Sequence, residues 1–331
     1  MGLFTRGKVW ISEDRRTYLE YDAGTGTLSF YVEGTNVFNM TSTSVTALVE
    51  AIQQGGGSVA TNTAYGDNAL DSNTTGASNT AIGDEALTAN TTGANNTALG
   101  ASALDANTTG AANTAVGAAA LGGETTGVNN TAVGKDALLT QAGATGNTAV
   151  GKSAGDAITT GSNNTVVGLD AGGALTTGAS NVAVGKDALL VATTGAQNVA
   201  VGALALDAAT TAVDNTAIGY NALTAATTGV NNTAVGSGAL AAVTIATGNV
   251  GVGKDAGNAL TTGVNNVAVG LDALGGETTG TDNIGIGKDA LLSQVGATGN
   301  VAIGNTAGDA LTTGSNNVAV GLNALSAATT A

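Results

Sequence analysis

The chain has 331 residues, of which only 3% are aromatic and 10% are charged, with 52 glycines and no proline. So few bulky side chains cannot fill ordinary globular domains, and a thin fold is therefore predicted. The formal net charge of -15 excludes general nucleic-acid binding, which needs clustered Lys and Arg, and the absence of His and Cys removes the usual general base, metal ligand and thiolate.

The first residues, MGLFTRGKVWISEDRR, contain no apolar segment of signal-peptide length. No other segment offers the roughly twenty consecutive apolar residues of a membrane span. The sequence therefore predicts neither export through a standard signal nor membrane insertion.

Composition changes at the Gly-Gly-Gly-Ser run of residues 55–58, and seven of the nine aromatic residues precede it. This change predicts three parts: an N-terminal β-rich module at residues 1–54, a Gly-rich junction at 55–61 and a repeat array over 62–331. Only the first part has enough aromatic side chains for a small conventional core.

The N-terminal module alternates β-favouring segments with turn-rich ones, SEDRR, DAGTG and EGT. Four antiparallel strands are predicted in KVWIS, TYLEY, TLSFYV and TNVFNM. Ser44 then has the character of a helix N-cap, followed by an apolar stripe at helical spacing, formed by Val45, Leu48, Val49 and Ile52. This short helix either packs on its own sheet or forms a three-helix neck on a trimer axis.

The rest of the chain repeats with a constant period of 17 residues. When the recurring Asn is numbered position 1, Gly fills position 5 and Ala fills position 8 in all sixteen repeats. The Asn residues are at 62, 79, 96, 113, 130, 147, 164, 181, 198, 215, 232, 249, 266, 283, 300 and 317.

Positions 2 to 4 show the alternation of a short strand, and Gly at position 5 ends it. A second short extended piece is predicted through positions 8 and 9, and Thr-Thr-Gly at 13 to 15 predicts a return turn. Each repeat is then one coil of a parallel β-solenoid with an interior of Thr, Val, Ala and one Leu. Stacked about 4.8 Å apart, the Asn amides are predicted to hydrogen-bond along their column and to satisfy turn backbone groups.

Position 9 is Leu in twelve repeats and Gly in four, and only those four have Ile or Leu at position 12. The bulky residue is therefore predicted to stay in the interior at a different place. The five Lys of the array all occupy position 6, which is predicted to face water. Two nearly identical blocks, 134–164 and 287–317, lie nine repeats apart and indicate growth by duplication.

The segments NNVAVG at 316–321 and 265–270, and NNTAVG at 129–134, resemble the head repeat of YadA-like trimeric adhesins, with its Asn-Ser-Val-Ala-Ile-Gly consensus. The resemblance covers about residues 59–331. It implies a left-handed parallel β-roll of three chains around a common axis, with alternate Val and Ile side chains pointing inward. The family's usual coil is a few residues shorter, so Thr-Thr-Gly looks like an enlarged turn. An intact bacterial autotransporter is not expected, because the family's secretion signal, coiled-coil stalk and membrane barrel are missing.

The same kind of repeat occurs in phage fibres, and residues 17–38 loosely resemble small attachment modules of phage structural proteins. A thin coil buries little apolar area, so three chains are expected to share a core. We therefore predict a homotrimeric virion fibre at the virion surface, docked through residues 1–54 on a capsid or tail protein. The repeat rod, about 75 Å long, projects outward and either contacts a host-surface receptor weakly or acts as a spacer.

Two alternatives come from other classes. One is a bacterial surface adhesin or matrix filament, and the other is an ice-binding solenoid that uses Thr-Thr pairs such as Thr74 and Thr75. No catalytic, cofactor-binding or metal-binding residue is predicted, because no recurring acid pair, nucleophile–base set, phosphate-binding loop or calcium-roll pattern is present. The chain is accordingly predicted not to be an enzyme.

Overall fold

The computed structural model describes residues 6–10, 17–22, 25, 27–32, 35–41, 59 and 61–327. Four N-terminal strands pair antiparallel in chain order: β1 Arg6–Trp10, β2 Thr17–Asp22, β3 Thr27–Val32 and β4 Thr35–Thr41. They lie where the sequence predicts four antiparallel strands.

The predicted helix from Ser44 to Ile52, and with it the neck alternative, lies outside the described residues. Within the described ranges no helix has the length and apolar character needed to cross a bilayer.

The repeat array forms one sheet of sixteen parallel strands whose order follows the chain. Each strand pairs with the next position for position, as Thr216 does with Thr233, so neighbouring coils are in register. The predicted parallel β-solenoid is confirmed. The strands are β5 Thr63–Tyr65, β6 Thr80–Ile82, β7 Thr97–Leu99, β8 Thr114–Val116, β9 Thr131–Val133, β10 Thr148–Val150, β11 Thr165–Val167, β12 Val182–Val184, β13 Val199–Val201, β14 Thr216–Ile218, β15 Thr233–Val235, β16 Val250–Val252, β17 Val267–Val269, β18 Ile284–Ile286, β19 Val301–Ile303 and β20 Val318–Val320.

The middle residue of each strand points into the coil, which corrects the predicted interior. Ala217 is fully buried, while Ile218 beside it is 40% exposed. Thr at position 2 and Val or Ile at position 4 therefore face outward from their own coil, and the small residue at position 3 faces inward. The cross-section explains the choice, because a Cβ added to Gly251 at position 3 would lie 2.7 Å from Leu240 Cγ. Even a methyl group is too large at Gly251, and most other strands carry Ala at this position, so the narrow interior takes only a small residue beside a position-9 leucine. The expectation of inward Val and Ile is therefore wrong for the single chain.

The stretch from position 6 to position 12 is a series of turns, so the predicted second extended piece is also wrong. Positions 7 and 9 adopt left-handed backbone conformations in all sixteen coils, as Asn221 (φ 54°) and Leu223 (φ 51°) show. The Ala226 N–H donates to the Leu223 carbonyl at 3.1 Å, closing one turn, and the Leu223 N–H donates to the next coil at Ala239. Leucine rarely adopts this conformation, so burial of its side chain must offset the strain.

The bulky side chain moves within the interior as predicted. Where position 9 is Gly257, the side chain of Leu260 at position 12 is fully buried, and its Cδ1 lies 3.0 Å from where a Gly257 Cβ would stand. The one valine at position 3, Val166, follows the same rule, since it lies against the two successive position-9 glycines, Gly155 and Gly172. Interior volume is thus conserved across coils although the residue that supplies it changes.

The buried Asn column joins each coil to the next. Asn215 Nδ2 donates to the Gly229 carbonyl of its own coil at 2.8 Å, which connects the strand to the return turn. Asn215 Oδ1 accepts the backbone N–H of Asn232 at 3.0 Å and its Nδ2 at 3.1 Å. The predicted ladder is therefore confirmed.

We predict that Gly219→Ala at position 5 destabilises the solenoid by more than about 3 kcal/mol. Gly219 has φ 138°, and an added Cβ would lie 2.5 Å from the Gly236 carbonyl oxygen of the next coil. The matched control is Gly321→Ala at position 5 of the last coil, where φ is 125° and an added Cβ would meet no atom within 4 Å. Urea unfolding followed by circular dichroism measures both variants, and equal losses would contradict the steric argument.

We also predict compensation between positions 9 and 12. Gly257→Leu alone places a side chain on Leu240 and Leu260, and Leu260→Ala alone leaves a cavity that costs about 2 to 5 kcal/mol. The double variant recreates the arrangement of Leu223 with Ala226 and should be more stable than either single variant. A double-mutant cycle of unfolding free energies tests this, and additive losses would show that the two positions do not share one volume.

Candidate interaction surface

The outward side chains of positions 2 and 4 in strands β5–β20 form one continuous surface, which we call the strand face. The side chains in register lie about 4.8 Å apart along the rod, and positions 2 and 4 lie about 6.7 Å apart across it. Position 4 is Val, Ile or Leu in every strand except the first, which has Tyr65. Position 2 is Thr in β5–β11 and Val or Ile in seven of the nine strands β12–β20. The strand face is therefore most apolar in its C-terminal half.

The strand face is a large and continuous surface in contact with water. Sixteen strands spaced about 4.8 Å apart, with two columns each, make a flat strip on the order of 500 Å². The largest apolar patches of soluble monomers are of this size and are often functional. Its side chains are not well covered within the chain, since Ile303 is 40% and Val320 is 65% exposed. This strip is the strongest candidate for a protein contact.

Position 6 faces water, as predicted. The Lys186 and Lys254 side chains are 63% and 66% exposed, and each ammonium contacts the carboxylate of the Asp that follows it. This contact, by hydrogen bond first and charge second, raises the pKa of Lys186 above its ordinary value. Such exposed pairs contribute little to stability.

In the part of the chain that the structure describes, the two Thr columns differ. At position 13 the hydroxyl of Thr210 donates to the carbonyl of Thr227 in the next coil at 3.1 Å, and this contact recurs along the array. Thr211 and Thr228 at position 14 are exposed. The Thr-Thr pairs therefore present one exposed column where the ice-binding alternative expects two.

Two fully buried glutamates lie at position 12, where most coils carry Asn or an apolar residue. Glu277 Oε1 accepts the backbone N–H groups of the next three residues, at 2.6 to 3.0 Å, and that of Gly296 at 2.8 Å. Glu277 Oε2 accepts Gln294 Nε2 at 2.8 Å, and Gln294 Oε1 accepts Asn300 Nδ2 at 3.1 Å. A carboxylate saturated in this way stabilises its turn and is not available as a base or a ligand.

Glu124 and Gln141 form the same arrangement nine coils earlier. The period of 17 alone does not point to these residues. A comparison of successive coils could have found them. Each position-12 Glu is followed one coil later by a Gln at position 12, and two residues after that Gln stands Gly143 or Gly296 in place of the usual Thr.

Other carboxyl groups are spread along the rod. Burial raises the pKa of Asp156, and the nearby charge of Asp170 adds to the effect; burial likewise raises the pKa of Asp105. Both groups bind a proton more readily in the folded chain than in the unfolded one, so at neutral pH they oppose folding slightly. In the ranges that the structure describes, no group of three or more acidic side chains is placed to hold a metal ion.

We predict that Glu277→Gln destabilises the solenoid by about 2 to 4 kcal/mol, because it removes charge-assisted hydrogen bonds to buried N–H groups and directs one amide NH₂ at another. The matched control is Glu85→Gln, which changes an exposed carboxylate. Thermal unfolding of both variants measures the difference. A loss at Glu277 no larger than at Glu85 would show that the buried carboxylate is not needed.

Comparisons with protein-family models, with curated proteins and with solved structures find no match to this chain. The likeness to YadA-like head repeats therefore rests on the repeat residues alone.

Proposed function

We propose that this chain is the shaft of a homotrimeric virion fibre, with residues 1–54 docked on a capsid or tail protein and the repeat rod projecting from the virion surface. The observation that carries the proposal is the uninterrupted, in-register stacking of sixteen near-identical coils. A stack of this kind sets length and stiffness, and its described acidic groups do not gather into a metal-binding cluster.

The strand face supports assembly of three chains. Each coil encloses little apolar volume, because Ala occupies position 8 throughout and position 3 in most coils. The larger Val and Ile side chains lie outside, where packing against other copies would bury them. The inward Val and Ile implied by the resemblance can then face the common axis of a trimer, although they face outward from their own coil.

The virion assignment rests on the likeness of the repeat and of residues 17–38 to phage structural proteins. A bacterial surface adhesin or filament is the alternative, and both use the same rod. Immunogold labelling of purified virions and of cell envelopes separates them. In addition, deletion of residues 1–54 should abolish incorporation into particles while leaving the rod folded. Labelling of envelopes alone would favour the adhesin.

The ice-binding alternative is less well supported, since the position-13 hydroxyl groups donate to backbone carbonyls. A thermal-hysteresis measurement on the purified chain addresses it directly. Hysteresis that disappears on replacing the exposed position-14 Thr residues would favour this alternative over a fibre.

We predict that the native chain has a mass near three times 31.3 kDa and a rod-like scattering profile. Val252→Lys, at position 4 of β16, should reduce the mass to that of a monomer, because each chain would bring a charge into the shared apolar contact. Light scattering with small-angle X-ray scattering measures both.

The matched control is Thr262→Lys, at exposed position 14 of the same coil, which should remain trimeric. A native monomer would contradict the trimer. A Val252→Lys trimer of native stability would show that the strand face is not the interface.

A further inference from the structure

The coils of the solenoid are grouped in threes. At position 10 the chain has Asp156, Gly173 and Leu190 in successive coils, and 102 residues later, six coils further on, it has Asn258, Gly275 and Leu292. A Cβ added to Gly173 would lie 3.2 Å from Leu190 Cδ1 and 3.8 Å from Asp156 Oδ1, so the glycine leaves space that its two neighbours fill. Three coils thus form one packing unit.

The unit of three coils between these two has different residues at position 10 but keeps the packing contact. There Thr224 takes the place of the glycine and Ala241 that of the leucine. The larger residue is matched by a smaller neighbour, and the Thr224 hydroxyl donates to Asp207 Oδ1 at 2.5 Å. Such compensation is typical of a packing contact that persists while its residues change.

The same three-coil period appears on the outside of the rod. The large apolar side chains at position 6 all belong to the same coil of the unit, and we call them the apolar row: Leu169, Tyr220, Leu271 and Leu322, which are 39%, 55%, 37% and 73% exposed. Lys residues flank Leu169 and Leu271 one coil away on both sides. Around Tyr220 these positions are Ala203 and Ser237, so the lysines are lost there while the apolar side chain remains.

The strand face by itself does not specify the axial register of two chains in contact, and the apolar row can specify it. Its columns repeat in every coil, so two chains in contact through it could slide by one coil, about 4.8 Å, and regain nearly the same contacts. Uniform, repetitive surfaces of this kind do not specify one register. A feature that recurs only every third coil removes most of these alternatives.

We propose that the apolar row is an interaction surface for other copies of this chain and sets their axial register in the assembled rod. The proposal rests on the trimer proposed above. Position 6 follows the strand face along the coil, separated from it only by Gly at position 5. Contacts that recur about every 14 Å along a straight rod can all be filled at once only by a partner with the same period, and a second copy has that period.

Register errors then carry a cost. A slip of one coil brings Leu169 or Leu271 of one chain to the level of a Lys on its neighbour, which must be desolvated against an apolar side chain. A slip of three coils restores the row but leaves three strands unpaired at each end. The in-register assembly is therefore favoured over every slipped one.

Cross-linking of single cysteines tests the proposal, because the chain contains no cysteine of its own. Ala203→Cys and Ser237→Cys are placed in separate chains that are then co-assembled. They lie two coils apart at position 6, and the cross-linker is a bismaleimide shorter than two coil spacings, about 9.6 Å. In the native background we expect Cys to link only to Cys at the same position. Replacement of the four row residues by Ala should give links between positions 203 and 237 in at least a tenth of the cross-linked product.

The matched control removes exposed apolar groups away from the row, by changing Val191, Ile245 and Val295 to Ala, and should keep the native pattern. A row variant that still links only like positions would overturn the proposal, as would mixed links in the native background. If the four-site variant does not fold, Tyr220→Ala with Leu271→Ala reports the same ratio. A native mass of one chain would instead contradict the trimer itself, so the two failures are distinguishable.

Discussion

The buried asparagine at position 1 is the interaction on which the rest of the solenoid depends. Its amide joins the strand to the return turn of its own coil and accepts the backbone N–H of the next coil, as Asn215 does with Gly229 and Asn232. No other uncharged side chain supplies a donor and an acceptor at this reach. An unsatisfied buried amide would cost about 1 to 3 kcal/mol, so the requirement returns in every coil, once every 17 residues.

Close stacking then limits what the interior can hold. The position-5 glycines approach the carbonyl groups of the next coil too closely for a Cβ, and the Ala at positions 3 and 8 leave space for about one larger side chain per coil. That side chain is Leu at position 9 or its substitute at position 12. Where a polar group enters, as with Glu277, donors from its own coil and from the next coil surround it. The interior is thus assembled between coils, and a change in one coil is compensated in its neighbour.

Much of this could be predicted from the sequence, because a strict period reports on neighbours directly. The strand positions, the Asn ladder and the movement of the leucine all follow from comparing one coil with the next. Which side of each strand faces the interior of the coil could not be predicted in the same way. Alternation shows that Thr216 and Ile218 share a face, but it does not show which face is inside. Hydrophobicity favours placing Ile inward, and only the narrow cross-section, which depends on the turn geometry, reverses that preference.

The turns themselves escaped prediction for a related reason. Leucine at φ near 50°, as at Leu223, goes against its intrinsic preference and is held by burial that exists only once the coils have stacked. The Glu–Gln pairs and the three-coil unit depend in the same way on contacts between coils, so a reading of one repeat at a time does not reveal them.

The repetition of equal coils connects the position-10 contacts with the apolar row on the outside of the rod. A rod built from equal coils gains stiffness and can lengthen by duplication, but each added coil also adds a register in which two rods could pair incorrectly. The position-10 contacts introduce a longer period inside the chain, and Leu169, Tyr220 and Leu271 repeat it on the outside. The blocks 134–164 and 287–317 lie nine coils apart, which is a whole number of three-coil units. Duplication in such units lengthens the rod without disturbing its longer period, and a single in-register assembly therefore remains available at every length.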